Sequence, residues 1–339
     1  MIRNRILFVT LMVAVVLLAA CGEETVDDVL QSLDDRVGEM TSFSAEAEMT
    51  MSTGEEPEQY QVDVLHKADD FFKVVMNNMN DEKGDQVILR NDEGVFVLTP
   101  SINKSYKFQN DWPKQHSQPY MYTSLVADVL NDSDREFQMT DNYYVFKVKT
   151  NYKGNQQLPY QEVYFHKDSY KPALVRVQDQ NGDTMVEVEF SSFEFDVDIA
   201  DSEFDTDENL SEGAVSVPTM TELEERDMTV YTPNVVPEGA SKSGEEVVEF
   251  EDGERVILTY EGDKSFTLVQ EQFESYPTSL QVPVSATGDL VDLGFTVGHL
   301  NNHSLEWELD GMRFVLASDS LTVNEMVQVA QSVDQQVMK

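Results

Sequence analysis

The 339-residue sequence predicts an α+β protein dominated by antiparallel β-structure. Three observations carry this. From Phe43 onward the apolar residues alternate with a period of two in segment after segment. Short turn-forming clusters separate those segments, which suits hairpins and a meander, since parallel neighbours need long crossovers. Only three stretches show the three-, four- and seven-residue spacings of an amphipathic helix.

The elements follow in chain order. Met1-Ile2-Arg3-Asn4-Arg5 is basic, and Ile6 to Ala20 is apolar apart from Thr10. That run is short of the ~20 apolar residues that span a membrane. Residues 1–20 therefore read as a secretory signal. Thr25-Val26-Asp27-Asp28 then opens a helix with acids in its first turn, and Val26, Val29, Leu30, Leu33, Val37 and Met40 form its stripe. Strands are expected near 43–52, 59–66, 71–79, 85–91, 94–99 and 103–108. The turns between them include 54–57, 67–70, 81–84 and 91–94. Tyr60, Val62 and Val64 share one strand face, and Val74 and Met76 continue it by parity. A face so apolar needs a cover. Pro119 is placed to open a second helix bearing Tyr122, Leu125, Val126, Val129 and Leu130. Strands resume near 135–140, 143–150, 160–167, 173–179 and 183–195, which makes eleven in this domain.

Asp196 to Glu212 is dense in acids and reads as a solvated linker, with the domain boundary at Val215-Ser216-Val217-Pro218. Asp205-x-Asp207-x-Asn209 copies the start of a calcium loop, but Leu210 stands where such a loop needs Gly and Ser216 where it needs Glu. The second domain should hold an opening strand within 228–239 and strands near 245–250, 254–261 and 264–272. Further strands are expected at 291–297, 304–309 and 312–317. Thr322-Val323-Asn324-Glu325 is a capping box that opens a helix on Met326, Val329, Ala330 and Val333.

Two resemblances give this outline more content. Leu18-Ala19-Ala20-Cys21 resembles the bacterial lipobox, and Cys21 is the one cysteine in the chain. The resemblance implies cleavage before Cys21 and diacylglycerol on its sulfur. The protein would then be lipid-anchored to the extracytoplasmic face of the cell membrane, with no disulfide. The body carries ordered motifs as well. Gly84 to Pro100 and then Ser101 to Phe108 form a strand pair, a proline and a Lys-aromatic strand. Tyr170-Lys171-Pro172, Asn181-Gly182-Asp183 and Phe190-Ser191-Ser192-Phe193 follow later. Together these resemble LolA-like lipoprotein carriers, and with Cys21 and the extra C-terminal domain they look most like the YdcC-type sporulation-associated lipoproteins. The likeness implies a curved, unclosed β-barrel of the LolA/LolB kind wrapped on helices over residues 21–205. An acidic linker at 206–220 and a smaller α+β domain at 221–339 complete the expected organisation. It also implies an apolar cavity, for which Tyr60, Val62, Val64, Val74, Met76, Leu125 and Val129 are the candidate lining.

Charge narrows the partners. Sixty-four acidic against 23 basic residues leave a formal net charge of −41, which repels nucleic acid. The acids are spread along the chain, a pattern that suits solubility in high salt better than one docking patch. No nucleophile elbow, phosphate loop, dinucleotide fingerprint or His-Glu-x-x-His motif occurs. His299 and His303 are four apart, but Gly298 and Asn301-Asn302 point to a turn rather than a ligating helix. No enzyme, metal or cofactor is expected. The expectation is an anchored binding protein for an acyl group or an envelope protein. The alternatives are a sensor docked on an anti-sigma-type membrane protein and a chaperone for an envelope or spore-cortex enzyme.

Overall fold

The computed structural model describes residues 24–335, except 53–56, 69, 80–85, 101–103, 109–116, 153–157, 215–229, 251–252, 274–283, 287, 294–295 and 310–311. The signal peptide and Cys21 lie outside the described residues. So do most of the turns expected at 54–57 and 81–84, and the boundary at Val215–Pro218.

Helix α1 (Val26–Glu39) starts at a reciprocal cap. Asp28 N donates to Thr25 Oγ1 at 3.3 Å, and Thr25 N donates to Asp28 Oδ2 at 2.9 Å. The strands of the first half are β1 (Ser42–Met51), β2 (Glu58–Lys67), β3 (Phe71–Asn78), β4 (Gln86–Asn91), β5 (Gly94–Thr99), β6 (Lys104–Phe108), β7 (Glu136–Met139), β8 (Tyr143–Lys149), β9 (Tyr160–His166), β10 (Pro172–Gln178) and β11 (Thr184–Phe195). Helix α2 (Tyr122–Asn131) falls between β6 and β7. It begins at Tyr122 behind an extended Met121, later than Pro119, whose own residues form a turn.

These strands and β16 (Val284–Ala286) make one sheet in the order β16-β6-β5-β4-β3-β2-β1-β11-β10-β9-β8-β7. Every pairing is antiparallel except β16 on β6, and the two end strands do not meet, so the sheet is unclosed. Register builds one inner face. Val62 sits opposite Ala47 and Met76, and Met76 opposite Gln86. A second row runs Ala45, Val64, Val74, Ile88, Val97, Tyr106 across six strands.

The outer face is covered over β4 and β5. Val87, Leu89, Phe96 and Leu98 point outward and form a second core with Ile199, Phe204 and Leu210. The stretch expected as solvated linker is thus largely structured, with a 3₁₀ turn at Asp201–Phe204 and helix α3 at Thr206–Ala214. Asp205 caps that helix, accepting from Asp207 N at 2.9 Å and Glu208 N at 3.0 Å. The calcium-like motif is therefore a helix start. Phe204 and Leu210, nearly alone among acids, are 2% and 4% exposed.

The second half has β12 (Tyr231–Pro233), β13 (Ala240–Phe250), β14 (Gly253–Gly262), β15 (Phe266–Phe273), β16, β17 (Asp289–Asp292), β18 (Val297–Leu300), β19 (Ser304–Leu309), β20 (Met312–Ala317), helix α4 (Val323–Gln331) and β21 (Val333–Gln335). Seven strands pair as β13-β14-β15-β20-β19-β18-β17, while β12 and β21 form a separate ribbon. The strand expected over 291–297 is instead the end of β17 and the start of β18, joined where Leu293 N bonds Thr296 O at 2.8 Å. The opening strand within 228–239 shrinks to Tyr231–Pro233. Thr322 and Glu325 make the expected cap of α4, which buries Met326, Val327, Val329 and Ala330.

Candidate functional site

The inner face of the first sheet has two different covers. At one end lie α1 and α2. Tyr60, Val62, Val64, Val74 and Met76 from the sheet and Leu125 and Val129 from α2 are each at most 1% exposed, within one continuous core. Parity predicts the burial of the five strand residues, and the three- and four-residue spacing predicts that of the two helical ones.

Aromatic rings surround Tyr122 on this end. Phe43 stacks between His66 (5.0 Å) and Phe193 (5.2 Å), and Tyr122 meets Phe165 edge-on at 6.2 Å and Phe195 at 5.2 Å. Among the described residues no hydrogen-bond partner reaches the buried Tyr122 hydroxyl. Burial raises its pKa well above the ordinary tyrosine range, so it stays an O–H donor. Burial also depresses His66 to about 4. On α2, Asp128 is pushed up to about 6 by burial, although it accepts from Gln161 Nε2 at 2.7 Å.

At the other end the cover is the second half of the chain, and it is polar. Glu308, 7% exposed, accepts from Thr99 Oγ1 at 2.9 Å and from the Tyr106 hydroxyl at 2.8 Å. Gln86 Nε2 donates to the Glu308 carbonyl at 2.9 Å, and Thr296 Oγ1 donates to Gln86 Oε1 at 2.5 Å. Arg313 bonds Glu306 at 2.7 Å and Glu271 at 3.2 Å beside them. A cavity of about 40 Å³ lies here against Val97, Phe108, Trp307 and His299. A water needs roughly 10–15 Å³, so the cavity has room for a few waters and not for an acyl chain. Nothing local in the sequence announces this junction, because its bonds join residues more than 200 positions apart.

The two histidines considered for metal stand apart in kind. His299 is on β18 with its ring against Phe108, and His303, in the next turn, pairs with Asp319 at 2.9 Å. Glu24, three residues after Cys21, is held to the body. It accepts from the hydroxyls of Tyr144 and, at 3.2 Å, Tyr170.

Comparison with known proteins finds relatives of this chain. The sporulation protein YdcC of Bacillus subtilis (strain 168) is 43% identical over 337 residues, spanning 99% of this chain and 98% of that one. Two solved structures are similar in part. MucB in complex with MucA(peri) aligns over 91% of this chain and 100% of its own, at 13% identity and a TM-score of 0.33. The LolA superfamily protein NE2245 from Nitrosomonas europaea covers 55% of this chain and 100% of its own, at 15% identity and a TM-score of 0.32. The family described as sporulation protein YdcC-like matches residues 2–204, and with the 43% relative this shows that the chain belongs to that family.

Proposed function

We propose that the chain is a non-enzymatic lipoprotein, anchored through diacylglycerol on Cys21 to the outer face of the cell membrane. There it holds an acyl group between the inner sheet face and helices α1 and α2. Family membership ties the activity to sporulation. The observation that carries the reading is the Tyr122 hydroxyl, a buried donor that finds no partner among the described residues and is ringed by aromatic side chains. A buried O–H normally finds an acceptor, and leaving one unmade costs about 1–3 kcal/mol. The ester or carboxyl oxygen of an acylated molecule is such an acceptor. Its chain would lie over the two adjacent rows that hold Val62 with Met76 and Val64 with Val74.

These residues are packed now, so entry requires α1 or α2 to swing out. The exchange is nearly even in apolar contact. Each methylene of the guest recovers about 0.8 kcal/mol of the burial that the helix gives up. The tether disfavours shuttling and suits holding or presenting.

Native mass spectrometry after mild extraction should find co-purifying lipid, and the protein should take up a fluorescent fatty acid. Tyr122→Phe should weaken that uptake roughly five-fold, as loss of one hydrogen bond of about 1 kcal/mol predicts. Neither lipid nor uptake would remove the acyl-binding reading. Separately, Cys21→Ser should leave unprocessed precursor or release the protein. Unchanged processing and membrane retention would remove the anchor.

A further inference from the structure

The sheet edges of this molecule are treated unequally. Strand β7 has four residues, β17 four and β16 three, so each offers little backbone to another chain. Strand β13 has eleven residues and is the end strand of the seven-stranded sheet. It pairs with β14 along its whole length, and no described strand lies on its other side. Its only irregularity is a bulge between Lys242 and Gly244, which leaves 245–250 in regular register.

Over residues 245–249 both faces are open. Val247 is 55% exposed and Val248 38%, among the few large apolar side chains left in solvent. Being neighbours on a strand they point to opposite faces, so no rotation of the strand would bury both. Glu245 and Glu249 flank Val247 on one face, and Glu246 adjoins Val248 on the other.

We propose that β13 is a docking edge that takes an extended, basic segment of a partner protein as an added strand. Backbone bonds to the free edge would hold the segment, with Lys or Arg facing the glutamates and apolar residues beside the valines. A second copy of this chain does not fit. Antiparallel pairing that sets Val247 against Val248 also sets Glu246 against Glu249 twice, between bodies that each carry −41. This inference does not rest on acyl binding at the inner face.

The test uses the full chain and a capped synthetic peptide centred on Lys-Val-Val-Lys-Lys. Two isomers of it carry N-methyl groups on alternate amides, one set for each edge of the peptide. Strand addition predicts that one isomer loses at least ten-fold in affinity while the other keeps it. Amides of 245–250 should gain hydrogen-exchange protection on binding. Glu246→Lys with Glu249→Lys, both on the surface, should weaken the parent peptide at least ten-fold. The inference is overturned if the peptide does not bind, if both isomers bind equally, or if β13 gains no protection. It is overturned equally by sedimentation showing a dimer that Val247→Lys dissolves.

Discussion

One sheet face with two covers makes a natural internal comparison. Under α1 and α2 the contact is mainly apolar, with the Tyr122 hydroxyl and the Asp128–Gln161 bond as its polar members. Under the second half, Glu308, Gln86, Tyr106 and Thr296 form a chain of specific bonds in which each member satisfies another. On the proposed reading the first cover would be exchanged for a guest with little loss, because dispersion and dehydration are not particular about their source. The second could not be, because removing any member strands a buried polar group. On that reading the helices would be the part that moves and the junction the part that stays.

Several substitutions would break or sharpen that contrast. The largest effect is expected from Phe43→Ala, which empties the centre of the aromatic cluster and should cost about 4 kcal/mol in urea unfolding. Glu308→Ala should cost about 3 kcal/mol by leaving two hydroxyls unanswered. Adding Thr99→Val and Tyr106→Phe to that variant should recover part of the loss. Recovery marks a bonded junction, and its absence would mean that Glu308 acts by packing. Asp205→Ala should cost about 1 kcal/mol and loosen only α3, which hydrogen exchange would localise.

Acidity provides a finer probe of the helix-covered end. His66 has a folded pKa near 4 against 6.5 unfolded, so its contribution is present above pH 6.5 and is lost as pH falls toward 4. Asp128 runs the other way. Raised to about 6 from 3.8, it stabilises most below pH 3.8, and that contribution is lost as pH rises through 6. His66→Phe should therefore flatten the acid side of the stability curve, and Asp128→Asn should raise stability at neutral pH relative to acid. Last and smallest, molar salt should raise the melting temperature by screening the net negative charge.

The first half was legible because its signals are local. Alternation gave the eleven strands, and parity put Val62, Val64, Val74 and Met76 on one face. The helix that begins at Thr206 was hidden because acids outnumber its apolar contacts. Only Phe204 and Leu210 hint that the stretch packs. The junction was hidden for a different reason. Glu308 looks like any of 64 acids until the fold brings Thr99 and Tyr106 to it. Strand β16 escaped notice too, being three residues that pair in parallel with a strand nearly 180 positions earlier.

Under the anchoring proposed above, the grip on Glu24 would set how the body stands on a membrane. Tyr144 and Tyr170 fix the chain three residues beyond Cys21, and three residues reach about 10 Å at full extension. The molecule would then have a short leg rather than a leash. The end of the sheet near β8 and β9 would face the bilayer from about that distance. A leg so short would be a stiff mount. An orientation so constrained would present the same side to every partner that diffuses past.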